Sequence, residues 1–472
     1  MTRMNPRSLI RLRKTSLAAL LTVTLSACAV GPDYTPPPPP ALSAAPFVSA
    51  QGADFATAEP ETHWWRIYDD PALDGLITRA LAANTDLRVA LANLRAAEAV
   101  AAEAGNARLP QTSLTANGSF GQRQMPLFLP DARLGGSLGA ELSYEADLFG
   151  RVSRTIEAAR ADVEAEAFAK GAVRLRVIAG VTQAYLAACT AAEAGTIARS
   201  SVDLAADSAR ITGLREAAGS SGRLDVVRAQ SLLAQARAEV PPIQAARQTA
   251  LFELAALMGL TPQQVPEAAT QCERAPQIDR AIAVGDGAGL LRRRPDVAEA
   301  ERRLAAATAR IGVATADLYP SIKINASVAQ AAGEGVSTAQ GFQFGIGPLL
   351  SFSFPNTGAA RARIRQSEAR AEAALASFDG TVLTALKETE QALASYSAAV
   401  TRRAELAQAE ASADEAFALA NTRYRAGSIA YIDVIVAQRE LATLRLARTQ
   451  ADSDLASGSV AVFRALGSGW RE

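Results

Sequence analysis

Residues 423–445 read RYRAGSIAYIDVIVAQRELATLR, and residues 215–237 read REAAGSSGRLDVVRAQSLLAQAR. At a constant offset of 208, Arg215, Ala218, Gly219, Ser220, Asp225, Val226, Ala229, Gln230, Leu233 and Arg237 recur. Their counterparts are Arg423, Ala426, Gly427, Ser428, Asp433, Val434, Ala437, Gln438, Leu441 and Arg445. Alanine matches mean little in a chain with 106 alanines among 472 residues, but ordered Gly, Ser and Asp matches are specific. Upstream, Gly139, Ser143, Gly150 and Ile156 recur as Gly347, Ser351, Gly358 and Ile364. Further back the offset becomes 210, and Asp86, Leu94 and Pro110 recur as Asp296, Leu304 and Pro320. We read one internal duplication, about 70–270 and 290–470, and not a many-unit solenoid.

Each copy has the same expected order: helix, two strands, long helix, turn, helix. No proline lies between Pro130 and Pro241 or after Pro355, so helices can run there unbroken. From 151 to about 216, and from 359 to about 426, apolar residues fall at helical spacing. Leu375, Phe378, Val382, Leu386, Thr389, Leu393, Tyr396 and Val400 step by three or four, a near-heptad seam. Each helix would extend ~100 Å at the standard rise per residue. No compact soluble domain needs two such helices.

Strands are expected at about 111–121 and 133–145 in the first copy, and at about 321–330 and 341–354 in the second. Thr112, Leu114, Ala116, Gly118 and Phe120 alternate with polar neighbours, as do Leu134, Gly136, Leu138, Ala140, Leu142 and Tyr144. Ile322, Ile324, Ala326 and Val328 repeat the pattern, and so do Phe342, Phe344, Ile346, Leu350, Phe352 and Phe354; Leu349 fits neither face. The pattern suits a membrane β-barrel, and equally a half-buried strand of a soluble sandwich. Four strands cannot close a membrane barrel, because open edges in lipid leave backbone groups unpaired. If the strands lie in lipid, several chains must share one barrel, and three chains supply twelve strands.

The start of the chain reads as an address. Arg3, Arg7, Arg11, Arg13 and Lys14 precede an apolar run, 17–27, too short for a lasting transmembrane helix. It ends in Leu25-Ser26-Ala27-Cys28, which resembles the lipobox of bacterial lipoproteins. That resemblance implies that residues 1–27 are removed and that Cys28 carries a diacylglyceryl group and an acylated amine. Ala29 after the cysteine implies onward sorting to the outer membrane. Gly31-Pro32-Asp33-Tyr34 and the prolines at 36–40 open a stretch to about 60, read as an extended tether with no packing demand. The expected organisation is signal 1–27, acylated tether 28–60, first repeat 61–290 and second repeat 291–472.

Forty-eight basic residues balance 48 acidic ones, which argues against a nucleic-acid binder working through a basic field. His63 is the single histidine and there are three cysteines, which leaves little for a zinc site or a Ser-His-Asp triad. Gly118, Gly121, Gly135 and Gly136 suit barrel strands and form no phosphate loop. We expect no catalysis and no cofactor apart from covalent lipid. His63-Trp64-Trp65 reads as packing before a helix ahead of a ligand cage. Cys189 reads as a small buried residue, and its pairing with Cys272 stays open, since spacing does not show their distance.

Several motifs occur together: Cys28-Ala29-Val30-Gly31-Pro32-Asp33-Tyr34, Trp64-Trp65 before Asp70-Pro71-Ala72-Leu73, and Asp147-Leu148-Phe149-Gly150-Arg151. Arg293-Arg294-Pro295-Asp296-Val297, then Arg423-Tyr424-Arg425-Ala426-Gly427 leading to Asp433-Val434, complete the set. The chain resembles the outer membrane factor family, the TolC-like trimeric channels, and within it the NodT-type lipoproteins of resistance-nodulation-division efflux pumps. The resemblance implies an α+β membrane protein, a homotrimer whose 12-stranded outer-membrane β-barrel continues into a periplasmic α-helical barrel. Residues 71–108 would stack with 224–257, and 295–318 with 432–463, while 261–290 and the chain ends form a belt. The partners implied are outer-membrane lipid, a periplasmic adaptor and an inner-membrane transporter that expels drugs or other small toxic compounds. A type I protein-secretion duct and a non-conducting structural lipoprotein are the alternatives.

Site roles follow from the same resemblance. Tyr424, Arg423 and Arg425 would hold a periplasmic gate closed, and Asp433 would be either a helix cap or one member of a charged pore ring. Val436 stands where such gates often carry a second Asp, so a double carboxylate ring is not supported. Gly219, Ser220, Arg223, Asp225, Gly427, Ser428 and Ile429 would meet the adaptor. As bare turns, the same residues need Gly for special dihedrals and Asp for capping.

Overall fold

The computed structural model describes residues 29–38, 45–121, 133–333, 341–355 and 357–471. The expected signal 1–27 and Cys28 lie outside the described residues. The first half runs α1 (Pro71–Ala83), α2 (Thr85–Asn106), β1 (Gln111–Gly121), β2 (Arg133–Ala146), α3 (Arg151–Ala217), α4 (Arg223–Ala238) and α5 (Val240–Leu257). The second runs α6 (Gly287–Arg293), α7 (Pro295–Ala316), β3 (Ser321–Gly333), β4 (Phe342–Ser351), α8 (Gly358–Arg425) and α9 (Tyr431–Ala465). Helices α3 and α8 have 67 and 68 residues.

The chain divides into two compact units. One holds the chain up to residue 37, Asn93–Glu166 and Glu299–Asp379, and it contains an antiparallel sheet in the order β1-β2-β3-β4. Register sets Leu114 opposite Ala140, Ala140 opposite Val328 and Val328 opposite Phe344, so apolar positions form one row across the sheet. The next row, Ser113, Glu141, Ser327 and Gly345, belongs to the other face. On that face Ser143 donates to Asn325 Oδ1 at 2.9 Å. The apolar face is bare: Leu114, Phe120, Leu134, Leu138, Phe344, Ile346 and Leu350 are each more than 60% exposed. In water this exposure forfeits on the order of 10 kcal/mol relative to burial. Strand β4 stops at Ser351, short of the Phe354 that alternation reaches, because its partner Ser321 follows Pro320, which has no N–H to continue the ladder.

The tether was expected to be free of packing, but its first residues are fastened to this unit. The Arg154 side chain, 6% exposed, donates to Asp33 Oδ1 at 2.6 Å and reaches the Val30 carbonyl. Gly31 has φ +92°, and a Cβ there would fall 2.4 Å from the Gly312 Cα, so two backbones meet where only glycine fits. Tyr34 donates to Glu301 at 3.1 Å, and burial, reinforced by that carboxylate, pushes its hydroxyl up to about 12. The motif spanning 31–34 is thus a docked strap, held by the side-chain partners that proline-rich composition conceals.

The other unit holds Pro38–Ala92, Ala167–Ala298 and Gly380–Glu472. Trp64, Leu73, Leu76, Ile77, Ile178, Leu186, Leu254, Leu393, Val460 and Phe463 form its core, with Trp64 stacked on Phe463 at 4.7 Å. Trp64 and Trp65 are therefore packing residues. One window of α3 is apolar enough to cross a bilayer, yet 72% of it is buried inside the protein. Asn84 divides the helix expected over 71–108: it caps α2 by accepting from Leu87 N and donates to the Leu257 carbonyl at 2.7 Å. Pro241 and Pro242, at the start of α5, divide the segment 224–257. Cys189 and Cys272 are joined as a disulfide, with Cα atoms 5.2 Å apart.

Candidate functional site

The two turns at 219–225 and 427–433 share one backbone design. Gly219 has φ +72° and Gly427 φ +76°, so each long helix ends in the left-handed conformation that glycine adopts freely. The Ser220 and Ser428 N–H groups donate back to the Arg215 and Arg423 carbonyls at 2.8 and 3.0 Å, and their hydroxyls donate to the same oxygens. This satisfies carbonyls that a helix end would otherwise leave bare.

Neither aspartate caps the following helix. Gly222 occupies the cap of α4 and Ala430 that of α9, and neither supplies a side-chain bond. Asp225 and Asp433 sit in the first helical turn, where a carboxylate meets the positive end of the helix dipole. Asp225 accepts from the Ser221 hydroxyl at 3.1 Å, whereas Asp433 is exposed. The capping half of the Asp433 alternative is thereby removed.

Side chains differ between the turns. Tyr424 and Tyr431 are 9% and 5% exposed, with rings 5.1 Å apart. With Val434, Ile435 and Ala229 they form a small core, against which Ile429 packs. The Arg215 guanidinium lies 4.2 Å from the Tyr424 ring centre, a cation–π contact from the first turn to the second. Tyr431 and Ser208 share a hydroxyl hydrogen bond of 2.5 Å. Tyr424 therefore works here through its ring. Arg423 and Arg425 are exposed, and among the described residues neither makes a side-chain hydrogen bond or ion pair. Arg223 pairs loosely with Glu216 at 3.6 Å.

Two motifs acquire physical reasons that sequence reading missed. Asp147 caps α3 through Val152 N and Ser153 N at 2.9 and 2.8 Å, just before Gly150 at φ +77°. Arg294, buried, binds Asp296 at 2.6 Å, Glu388 at 2.9 Å and the Ala465 carbonyl at 3.1 Å, joining α7, α8 and α9. In the sequence it stood out only as part of the Arg293-Arg294-Pro295-Asp296-Val297 motif.

A sheet with one bare apolar face and helices of more than sixty residues define a channel protein of the TolC-like class. The chain belongs to the outer membrane efflux protein family, whose profile matches residues 76–260 and 289–468. The family is one of channels and not of enzymes, and the protein resides in the outer membrane with a large periplasmic part. OpmQ of Pseudomonas aeruginosa, a pyoverdine export outer membrane protein, is 34% identical over 86% of this chain and 87% of its own. Nodulation protein T of Rhizobium leguminosarum bv. viciae is 30% identical over 96% of this chain and 93% of its own. The outer-membrane channel OprN superposes with a TM-score of 0.87 at 35% identity, covering 94% of this chain and 100% of that one.

Proposed function

We propose that three copies of this chain close a 12-stranded barrel in the outer membrane, continuous with a periplasmic helical barrel. This duct is the exit of a tripartite efflux pump. The observation that carries the reading is the four-stranded sheet: its apolar face is exposed, and its edge strands β1 and β4 each have one partner among the described residues. Lipid covers such a face, and sheet closure across copies satisfies such edges. The shared order of elements in the two halves supports an internal duplication, with each copy supplying two hairpin strands and one long helix.

The duct receives small toxic compounds from an inner-membrane transporter of the resistance-nodulation-division type through a periplasmic adaptor. The relative named for pyoverdine export supports a small-molecule cargo over a protein. Residues 1–27 are the signal, and Cys28 carries the lipid. The exposed glycine turns at 219–225 and 427–428, with exposed Leu214, Leu224 and Val227 beside the first, offer the adaptor a surface. Arg423, Arg425 and Asp433, left exposed on their own chain, are free to meet neighbouring copies and hold the tunnel shut. Cross-linking of protein purified in detergent tests the assembly. Products ending at the trimer are expected, and a monodisperse monomer retaining its full β content would overturn it.

A further inference from the structure

Between residues 271 and 281 the chain crosses the surface of its unit with no helix or strand. Ala275 and Ile278 pack, partly buried, against the main core, while the segment's polar holds are slight. Arg274 pairs with Glu193 at 3.3 Å and Arg280 with Glu61 at 3.9 Å, with both arginines more than half exposed. Arg403 of α8, itself paired with Asp452 of α9 at 2.6 Å, donates to Gln277 at 2.9 Å. Exposed ion pairs of this kind contribute little. The strong attachment is covalent, Cys272 to Cys189, one helical turn from Glu193 on α3. Through this segment α3 is tied to the α8–α9 pair.

We propose that Cys189–Cys272 is a clasp, closed by a periplasmic thiol oxidase before the segment packs, which fixes residues 271–281 across α3, α8 and α9. The order of events follows from burial. Cys189 is 0% exposed within the main core and Cys272 packs partly buried against it, so both thiols are open to the oxidase and to each other only before that core closes. In the reaction one cysteine thiolate attacks the oxidase disulfide, forming a mixed disulfide and releasing one oxidase thiol. The second cysteine thiolate then attacks the mixed disulfide, the Cys189–Cys272 bond forms, and the second oxidase thiol leaves. The two cysteines are oxidised by two electrons, the oxidase disulfide is reduced by two, and the protons pass from the cysteines to the oxidase thiols. The outer-membrane setting supplies the oxidising compartment.

The clasp goes beyond the channel reading, and its test separates the two. Full-length protein from membranes is denatured without reductant and alkylated, and the labelled peptides are identified. No label on Cys189 or Cys272, with both labelled after reduction, is expected; label on both without reduction would overturn the clasp. Label on Cys28 alone would instead count against lipidation and leave the clasp standing. Trypsin then probes its mechanical role on the intact assembly. Cleavage at Arg274 should rise about tenfold or more in a Cys189→Ala/Cys272→Ser variant, as it should in reduced wild type, because local opening no longer works against the cross-link. Equal cleavage in all three would show that the disulfide does not hold the segment. In pulse-labelled cells trapped with alkylating agent, oxidised chains should precede trimers; reduced trimers appearing first would refute the order.

Discussion

The two turns, 219–225 and 427–433, are the same backbone put to different uses. Both close a long helix with a left-handed glycine and a serine folded back onto the same carbonyl. Where the first carries Glu216 and Arg223, exposed or half-exposed and loosely paired, the second carries Tyr424 and Tyr431, buried and in contact. The turn geometry is thus common to both, while the first is a charged, accessible corner and the second has a small core of its own. The contact between Arg215 and Tyr424 joins them, so the accessible corner also lies on the packed one.

Substitutions at the two turns should differ widely in their cost. Tyr424→Ala should loosen residues 423–433 by about 3 kcal/mol, the usual scale for losing a buried aromatic ring, whereas Glu216→Ala should move the first turn by less than about 0.5 kcal/mol. Amide hydrogen exchange over the two turns reads both values, and equal effects would erase the distinction. Tyr431→Phe removes only the bond to Ser208 and should cost about 1 kcal/mol by the same measurement. Gly219→Ala and Gly427→Ala should each cost about 1 kcal/mol and match one another, because the strain belongs to the shared backbone. Asp433→Ala should barely change exchange yet weaken cation preference in bilayer recordings, while Asp225→Ala should leave selectivity unchanged. A reversed pair would assign the pore-facing role to the first turn.

Features carried by local periodicity were legible. The apolar face of each strand, with Leu114 in β1 and Phe344 in β4, could be written from alternation alone, and Leu349 stood out as a misfit before β4 set it opposite Lys323 on the polar face; the register that aligns the strands could not. Helix lengths followed from the proline-free windows. What stayed hidden depended on tertiary partners. Nothing near Asn84 announces that it will bind the Leu257 carbonyl and split a helix, and Cys189 and Cys272 lie 83 residues apart. A proline-rich strap looks unpacked until Arg154 is found beneath it. Asp225 and Asp433 looked like caps because Asp caps well, but the backbone turns into the helix one residue beyond Gly222 and Ala430 and leaves both carboxylates inside the first turn. Arg423 and Arg425, which would face other copies in the proposed gate, are exposed and make no side-chain hydrogen bond or ion pair among the described residues, so nothing within one chain reveals what they meet.

Single-channel recording in planar bilayers, comparing wild type with Tyr424→Ala/Arg425→Ser, reads the closure of the duct at the second turn. If the second turn holds a trimeric duct closed, wild type should show small, rare openings. The variant should conduct several-fold more, since removing a few kcal/mol of closed-state stabilisation shifts a two-state gate substantially toward open. Equal conductance in the two proteins, or no channel from either, would show that the second turn does not hold such a duct closed.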